Sequence, residues 1–161
     1  MNQAVLAAKS ETVKTIEEKA KKSQTIVVCE YRGLTVAEIQ EVRRALHKEK
    51  AEMAVYKNSL VERACDELGY ADLKPVLKGP NAIVFSEDVI AGAKVIAKYA
   101  KRHRDILVVK GGIVEGKFVD AKGIIEVSKL PGKEGLLSMF LSCLQAPIRS
   151  FACAVKAVAD K

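Results

Sequence analysis

Thr25-Ile-Val-Val-Cys-Glu-Tyr31, followed by Arg32-Gly-Leu34 and Thr35-Val-Ala-Glu38, is the stretch that decides the fold. Its first part is short and rich in β-branched residues, which predicts a buried strand that ends at Gly33. Its last part fits a capping box, in which the Thr hydroxyl and the Glu carboxylate bind free backbone N–H groups at a helix start. A strand, a turn and a helix are therefore predicted in succession.

The same alternation of strand and helix signals continues along the chain. We predict further strands over 52–57, 82–85 and 106–110, and helices over 3–22, 59–68, 71–78, 86–102 and 120–128. This order predicts an α+β fold of the split β-α-β (ferredoxin-like) type, in which two helices cover one face of an antiparallel sheet. A parallel doubly wound sheet is the alternative, but four short strands with an inserted helix favour the antiparallel one.

The C-terminal segment differs in character and follows a break at Leu130-Pro-Gly132. From Leu136 to Ala159 only Arg149 and Lys156 are charged, and apolar residues recur in steps of four and three, which predicts a helix with one continuous apolar stripe. Such a helix is about 36 Å long. We expect it to project and to need a partner, so we divide the chain into an α+β domain at 1–133 and a C-terminal helix at 134–161.

Composition narrows the class of partner and the cellular compartment. The formal net charge of +7 and the pI of about 9.2 indicate a polyanionic partner, either nucleic acid or a membrane surface. The four cysteines form no C-x-x-C pair and only two histidines are present, so no zinc site is predicted and a reducing cytosol is favoured. We predict no signal peptide and no membrane span, because no run of about 20 apolar residues is free of polar breaks.

One motif invites an enzymatic interpretation. Gly111-Gly-Ile-Val-Glu-Gly-Lys117 fits the start of a phosphate-binding loop. The motif needs Ser or Thr next, where this chain has Phe118, and its lysine should open a helix. A glycine-rich hairpin is the better interpretation. Because no catalytic constellation stands out, we predict a protein that is not an enzyme and that needs no cofactor or metal.

Three polar turns follow or precede predicted strands: Tyr31-Arg-Gly33, Lys57-Asn-Ser59 and Lys78-Gly-Pro-Asn81. Each places a cation beside residues suited to nucleic acid, since Arg pairs with phosphate, Asn and Ser donate to phosphate or sugar oxygens, and Tyr stacks on unpaired bases. Any one of them is also explained as an ordinary turn with a solvated charge.

The basic run Lys98–Arg104 is interpreted first as solvated and second as RNA-contacting, because cations suit a helix C-terminus.

These motifs also occur together in a known family. The segments that carry the resemblance are Glu30–Glu38, Val55–Leu60, Lys78–Ala82, Lys110-Gly-Gly112 and Leu130-Pro131. In this order and spacing they closely resemble the bacterial form of large-subunit ribosomal protein ten, the stalk-base family, from about Lys9 to the C-terminus. Tyr56, Ser59 and Gly132 depart conservatively from the usual pattern.

The resemblance implies a structural protein of the cytoplasmic ribosome. It implies binding to 23S ribosomal RNA at the GTPase-associated centre, beside a neighbouring stalk-base ribosomal protein. Carried over by matching motif, the RNA-binding residues are Tyr31, Arg32, Gly33, Lys57 and Asn58. Lys9 joins them through its place near the family's N-terminal contact region.

The resemblance further implies that the C-terminal helix binds dimers of the acidic stalk protein, which recruit translation GTPases. The stalk-binding residues are Leu137, Phe140, Leu141, Leu144, Ile148, Phe151, Val155 and Val158. Phe140-Leu-Ser-Cys-Leu144 recurs weakly eleven residues later from Phe151, and two such segments imply two dimers. The complex is also implied to repress translation from its own messenger leader. From the residues alone, a self-associating or membrane-surface adaptor remains the alternative.

Overall fold

The β-branched run at Thr25–Glu30 forms strand β1, the central strand of a five-stranded antiparallel sheet. The structure is a computed structural model and describes residues 3–102 and 106–159. The other strands are β2 (Ala51–Ala54), β3 (Asn81–Ser86), β4 (Val108–Val114) and β5 (Lys117–Asp120). The sheet order is β2-β3-β1-β4-β5.

This strand order confirms the split β-α-β prediction. Strand β1 lies between β3 and β4, β2 borders β3, and every pair of described neighbours is antiparallel. Two interleaved β-α-β units produce this arrangement. The parallel doubly wound alternative is therefore wrong.

Helices cover both faces of the sheet, where the sequence led us to expect helices on one. The helices of this unit are α1 (Gln3–Lys22), α2 (Val36–Lys48), α3 (Asn58–Leu68), α4 (Ala91–Arg102) and α5 (Ala121–Lys129), with a 3-10 helix at Ala71–Val76. One core cluster joins α1, α3 and the 3-10 helix to Ile26 and Val28 of β1, and the other joins α2, α4 and α5 to Val27 and Cys29. Strand β1 is apolar at successive positions because both of its faces are buried.

The capping box forms as predicted and sets the start of α2. The Thr35 backbone N–H donates to Glu38 Oε2 at 2.7 Å, and the Glu38 N–H donates to Thr35 Oγ1 at 3.4 Å. These bonds satisfy donors that have no partner inside the helix. The helix therefore begins at Val36, directly after the turn that leaves β1.

The glycine pair has a different role from the predicted one. Gly111 and Gly112 lie inside β4, and the β4–β5 turn consists only of Glu115 and Gly116, with φ of +50° and +79°. Positive φ at both central residues is typical of a two-residue hairpin turn. A Cβ at Gly112 would lie 2.3 Å from the Ile26 carbonyl oxygen, so close strand approach requires glycine there.

The hairpin itself is confirmed, and it removes the support for a phosphate-binding loop. Lys117 opens strand β5, where such a loop would need it to open a helix. Phe118 and Val119 continue that strand, paired with Ile113 and Gly112.

The cysteines divide into two buried and two exposed thiols, all free. Burial raises the pKa of Cys29 to about 12 and that of Cys65 to about 11. These two thiols therefore behave as small apolar core residues. Cys143 and Cys153 lie in the C-terminal helix.

The chain divides into two compact units, Met1–Lys129 and Leu130–Lys161. The second contains α6 (Lys133–Ala159), a helix of 27 residues, which is about 40 Å long. Pro147 lies inside α6 without ending it, although proline supplies no N–H to the helix ladder. By length and composition alone, α6 is the one described helix that could cross a membrane.

Candidate nucleic-acid interface and C-terminal helix

The three polar turns lie at the same end of the sheet. Glu30, the last residue of β1, pairs with Asn81 at the start of β3 and with Val108 at the start of β4. Ala54, the last residue of β2, pairs with Ile83. The turns after β1 and β2 and the loop before β3 are therefore neighbours in space, although they are distant in sequence. We call this end, formed by residues 30–34, 57–59 and 78–81, the turn end.

The first turn exposes a cation on a constrained backbone. Gly33 has a φ of +101°, which glycine adopts without strain, and the Leu34 N–H donates to the Tyr31 carbonyl at 3.2 Å. Arg32 is exposed and forms no ion pair with any described carboxylate. Tyr31 is half-buried and packs against the core cluster of α2 and α4. The guanidinium is thus available to a ligand.

The second turn combines a cation with a helix N-terminus. Lys57 is the N-cap residue of α3, is exposed, and forms no ion pair with a described residue. The first turn of α3 contains no acidic residue that would offset the positive end of the helix dipole. The Asn58 side chain is already engaged, because its Nδ2 donates to the Gly79 carbonyl at 2.9 Å. This turn therefore favours an anion.

The third turn is held by Lys110, which our sequence analysis quoted only as part of a family motif. The Lys110 ammonium lies 2.7 Å from the Lys78 carbonyl oxygen, 3.0 Å from Asn81 Oδ1 and 2.7 Å from Glu30 Oε2. Glu30 and Asn81 were likewise absent from the predicted site residues. No local pattern marks these contacts, because they depend on pairing between strands that are far apart in sequence.

The other predicted RNA contacts stand apart from this group. Lys9 is half-buried on α1, one helical turn before the buried Val13, and forms no described contact with the three turns.

In the basic run, Tyr99 and Arg102 both bond to Glu41 Oε1 of α2 at 3.1 Å. His103 and Arg104 lie outside the described residues. These bonds engage two residues of the run within the protein, and its interpretation as first solvated and second RNA-contacting stays a prediction.

Helix α6 presents every predicted stalk-binding residue to solvent. Phe140 is 62% exposed, Ile148 75% and Phe151 72%. At about 100° per residue, five polar residues collect on one flank of the helix, beside the apolar stripe: Ser138, Ser142, Gln145, Arg149 and Lys156. An uncovered apolar stripe of this length is typical of an interaction surface.

Comparison with known proteins identifies the class. Residues 4–101 match the family model described as ribosomal protein L10, and residues 130–161 match the ribosomal protein uL10 C-terminal region. The chain is 48% identical over 158 residues to the protein named large ribosomal subunit protein uL10 of Bacillus cereus (strain B4264). The same identity and length hold for the relative of that name in Bacillus anthracis (strain CDC 684 / NRRL 3495). Both matches span 98% of this chain and 95% of the relative.

These matches define a ribosomal protein of the large subunit. Within that class, the chain belongs to the ribosomal protein L10 family, also called uL10. The resemblance predicted from the motifs is thereby confirmed over nearly the whole chain. Membership implies association with the ribosome, and the relatives are named as ribosomal proteins.

Proposed function

We propose that this protein attaches the stalk to the large ribosomal subunit. In this proposal, residues 1–133 bind 23S ribosomal RNA at the GTPase-associated centre, beside a neighbouring stalk-base protein. Residues 134–161 carry dimers of an acidic stalk protein, which bring translation GTPases to the ribosome. Displaying several copies of a flexible partner raises the local concentration of factor-binding sites.

The observation that carries the RNA assignment is the meeting of three turns at one end of the sheet. Arg32 and Lys57 are exposed there without a described carboxylate partner. Cations in this state gain free energy by neutralising phosphates and releasing counterions. Tyr31 and Gly33 complete the proposed face, and Lys9 on α1 is a proposed RNA contact apart from it.

The partner assignment rests on the exposed stripe of α6. The eight apolar side chains of the stripe contribute roughly 12–24 kcal/mol gross when buried, and association costs remove a large share of that. Phe140 and Phe151 are eleven residues apart. This step brings them to nearly the same side of the helix. Two docking segments on one side support two dimers.

A membrane-surface or self-associating adaptor is the competing function. It is favoured by the length and composition of α6, which suit a membrane span. Its weakness is the scarcity of cations on α6, because a helix at an anionic membrane surface needs a basic polar face. The family match at residues 130–161 supports the ribosomal partner.

The decisive test is filter binding of the full-length chain to an RNA fragment of the GTPase-associated centre across a salt series. Arg32→Glu and Lys57→Glu should each weaken binding and lower the salt slope by about 1. Lys117→Glu is the matched control, since Lys117 is exposed and begins β5 at the opposite end of the sheet. If random RNA binds equally well and neither charge reversal has an effect, the competing adaptor function would be favoured over RNA binding.

The same face extends the proposal to autogenous repression. A complex that binds ribosomal RNA through phosphates and turn donors can bind a messenger leader that presents a similar fold. Overexpression should then lower translation of a reporter fused to the chain's own leader. An Arg32→Glu variant should leave that reporter unchanged, and equal repression by both proteins would exclude this role for the turn end.

A further inference from the structure

We infer that Lys110 is a positioning residue of the RNA face, which locks the three turns together and makes no contact with RNA. The inference rests on the proposed RNA-binding function. It distinguishes the cations that contact phosphate from a cation whose N–H donors are all bonded within the protein.

A β-bulge directs Lys110 toward the turn end. Val28 of β1 pairs with Gly111, whereas the next residue, Cys29, pairs with Val109. Lys110 is therefore the extra residue of β4 at this point. Bulges of this kind re-aim a side chain and interrupt the regular alternation of strand faces.

The ammonium group of Lys110 has no donor left for a ligand. A lysine carries three N–H donors. Three acceptors of the protein lie within 3.0 Å of Nζ, namely the Lys78 carbonyl, Asn81 Oδ1 and Glu30 Oε2. The Lys110 side chain is only 21% exposed. Its charge is also balanced by Glu30, so it adds little attraction for phosphate.

The three acceptors connect the turns into one network. Glu30 directly precedes the turn that carries Arg32, and Lys78 belongs to the loop before β3. That loop is bonded in turn to the second one, because Asn58 Nδ2 donates to the Gly79 carbonyl at 2.9 Å. A Cβ at Gly79 would lie 3.5 Å from Lys110 Nζ, which shows how closely the loop surrounds the ammonium.

A network of this kind lowers the conformational-entropy cost of ordering the RNA face when RNA binds. Groups held in place before binding lose less conformational freedom on association than mobile ones. Loosening the turns should therefore weaken binding without changing the number of phosphates contacted. A lysine that itself touches phosphate behaves differently, because its loss lowers the salt slope by about 1.

The test compares the full-length wild-type chain with Lys110→Met/Glu30→Gln, a double variant that removes one charge of each sign. Binding to the GTPase-associated-centre RNA fragment is measured across a salt series. Lys110→Gln/Glu30→Gln is the milder second variant, since it is also charge-balanced and keeps an amide donor, and Lys117→Met is the control at the opposite end. Hydrogen exchange of the backbone amides of residues 31–34, 78, 79 and 81 gives a readout that needs no RNA.

We expect Lys110→Met/Glu30→Gln to bind roughly tenfold more weakly with an unchanged salt slope, and the amides of both turns to exchange faster. Lys110→Gln/Glu30→Gln should show a smaller loss of the same kind. Wild-type affinity in both variants overturns the positioning role while the RNA function stands, and a salt slope lowered by about 1 makes Lys110 a phosphate contact instead. Wild-type protein that binds random RNA equally well overturns the RNA function and this inference together.

Discussion

The side-chain amide of Asn58 donates a hydrogen bond of 2.9 Å to the carbonyl oxygen of Gly79, twenty-one residues further along the chain. Asn58 is the first residue of α3, and Gly79 lies in the loop before β3 with a φ of +91°. The bond therefore joins two of the three turns of the proposed RNA face. Sequence motifs indicated Asn58 as a donor to RNA, whereas in the structure one of its two amide hydrogens is engaged by the protein.

Replacing Asn58 by Ala should lower the free energy of unfolding by about 1 kcal/mol, because the Gly79 carbonyl loses its partner. Urea denaturation of the full chain measures this directly. Ser59→Ala is the matched control, since Ser59 is exposed in the same helical turn and has no hydrogen bond to a described residue. Equal stability of both variants would show that the bond contributes nothing.

The sheet was predictable because local sequence signals lie within β1 and directly after it. Its apolar run, the turn at Gly33 and the capping box at Thr35 and Glu38 fix a strand, a turn and a helix start. The number of layers was not predictable. A short run that is apolar at each position indicates a buried strand, but it does not say which helices cover each face.

The candidate site was predictable to the level of its turns and no further. The family motifs located Arg32 and Lys57, which the structure exposes at one end of the sheet. The role of Lys110 depends on a bulge where β4 meets β1, and such a register shift leaves no periodic trace in either strand. Contacts between distant segments are the part that single-sequence reasoning missed.

Gly112 should tolerate no side chain. A Cβ there would lie 2.3 Å from the Ile26 carbonyl oxygen and 3.1 Å from the Val27 Cα, so the backbone of the central strand would have to move. We expect Gly112→Ala to lower the free energy of unfolding by about 3 kcal/mol, at the upper end for an overpacked core. Thermal and urea denaturation measure the loss.

Gly132→Ala is the control for that experiment, because a Cβ at Gly132 would meet no atom within 4 Å. It should change stability little. A Gly112→Ala protein as stable as this control would mean that β1 and β4 can separate at no cost, and the explanation for the glycine pair would fail.

Glu17 should make stability depend on pH. The neighbouring Glu67 carboxylate, which favours a shared proton and repels a second negative charge, raises the pKa of Glu17 above its ordinary value of 4.5, and burial acts in the same direction. A folded-state pKa above the unfolded one means that the native state binds more protons. The resulting stabilisation is present at acid pH and is lost as the pH rises from about 4.5 through the folded-state pKa.

Glu17→Gln removes this titration. The variant should therefore be more stable than wild type at pH 7. The difference in free energy of unfolding between the two, the gap, should shrink as the pH is lowered to 4.5 and below. Urea denaturation at several pH values measures the gap, with Glu18→Gln as the control because Glu18 is an exposed neighbour on the same helix. A gap that stays constant across the pH range would contradict the assigned cause.

The two segments of α6 should be separable by single substitutions. Phe140→Asp places a charge in the first segment and Phe151→Asp places one in the second, where burying an unpaired carboxylate is costly. Under the proposed function, wild type should bind two acidic stalk-protein dimers and each variant should bind one, as measured by native mass spectrometry of the purified complex. Ser142→Asp is the matched control, because it adds the same charge on the polar side of the helix. If Phe140→Asp and Phe151→Asp each release every dimer, the two segments act as one cooperative site, and if neither changes the stoichiometry, the stripe is not the docking surface.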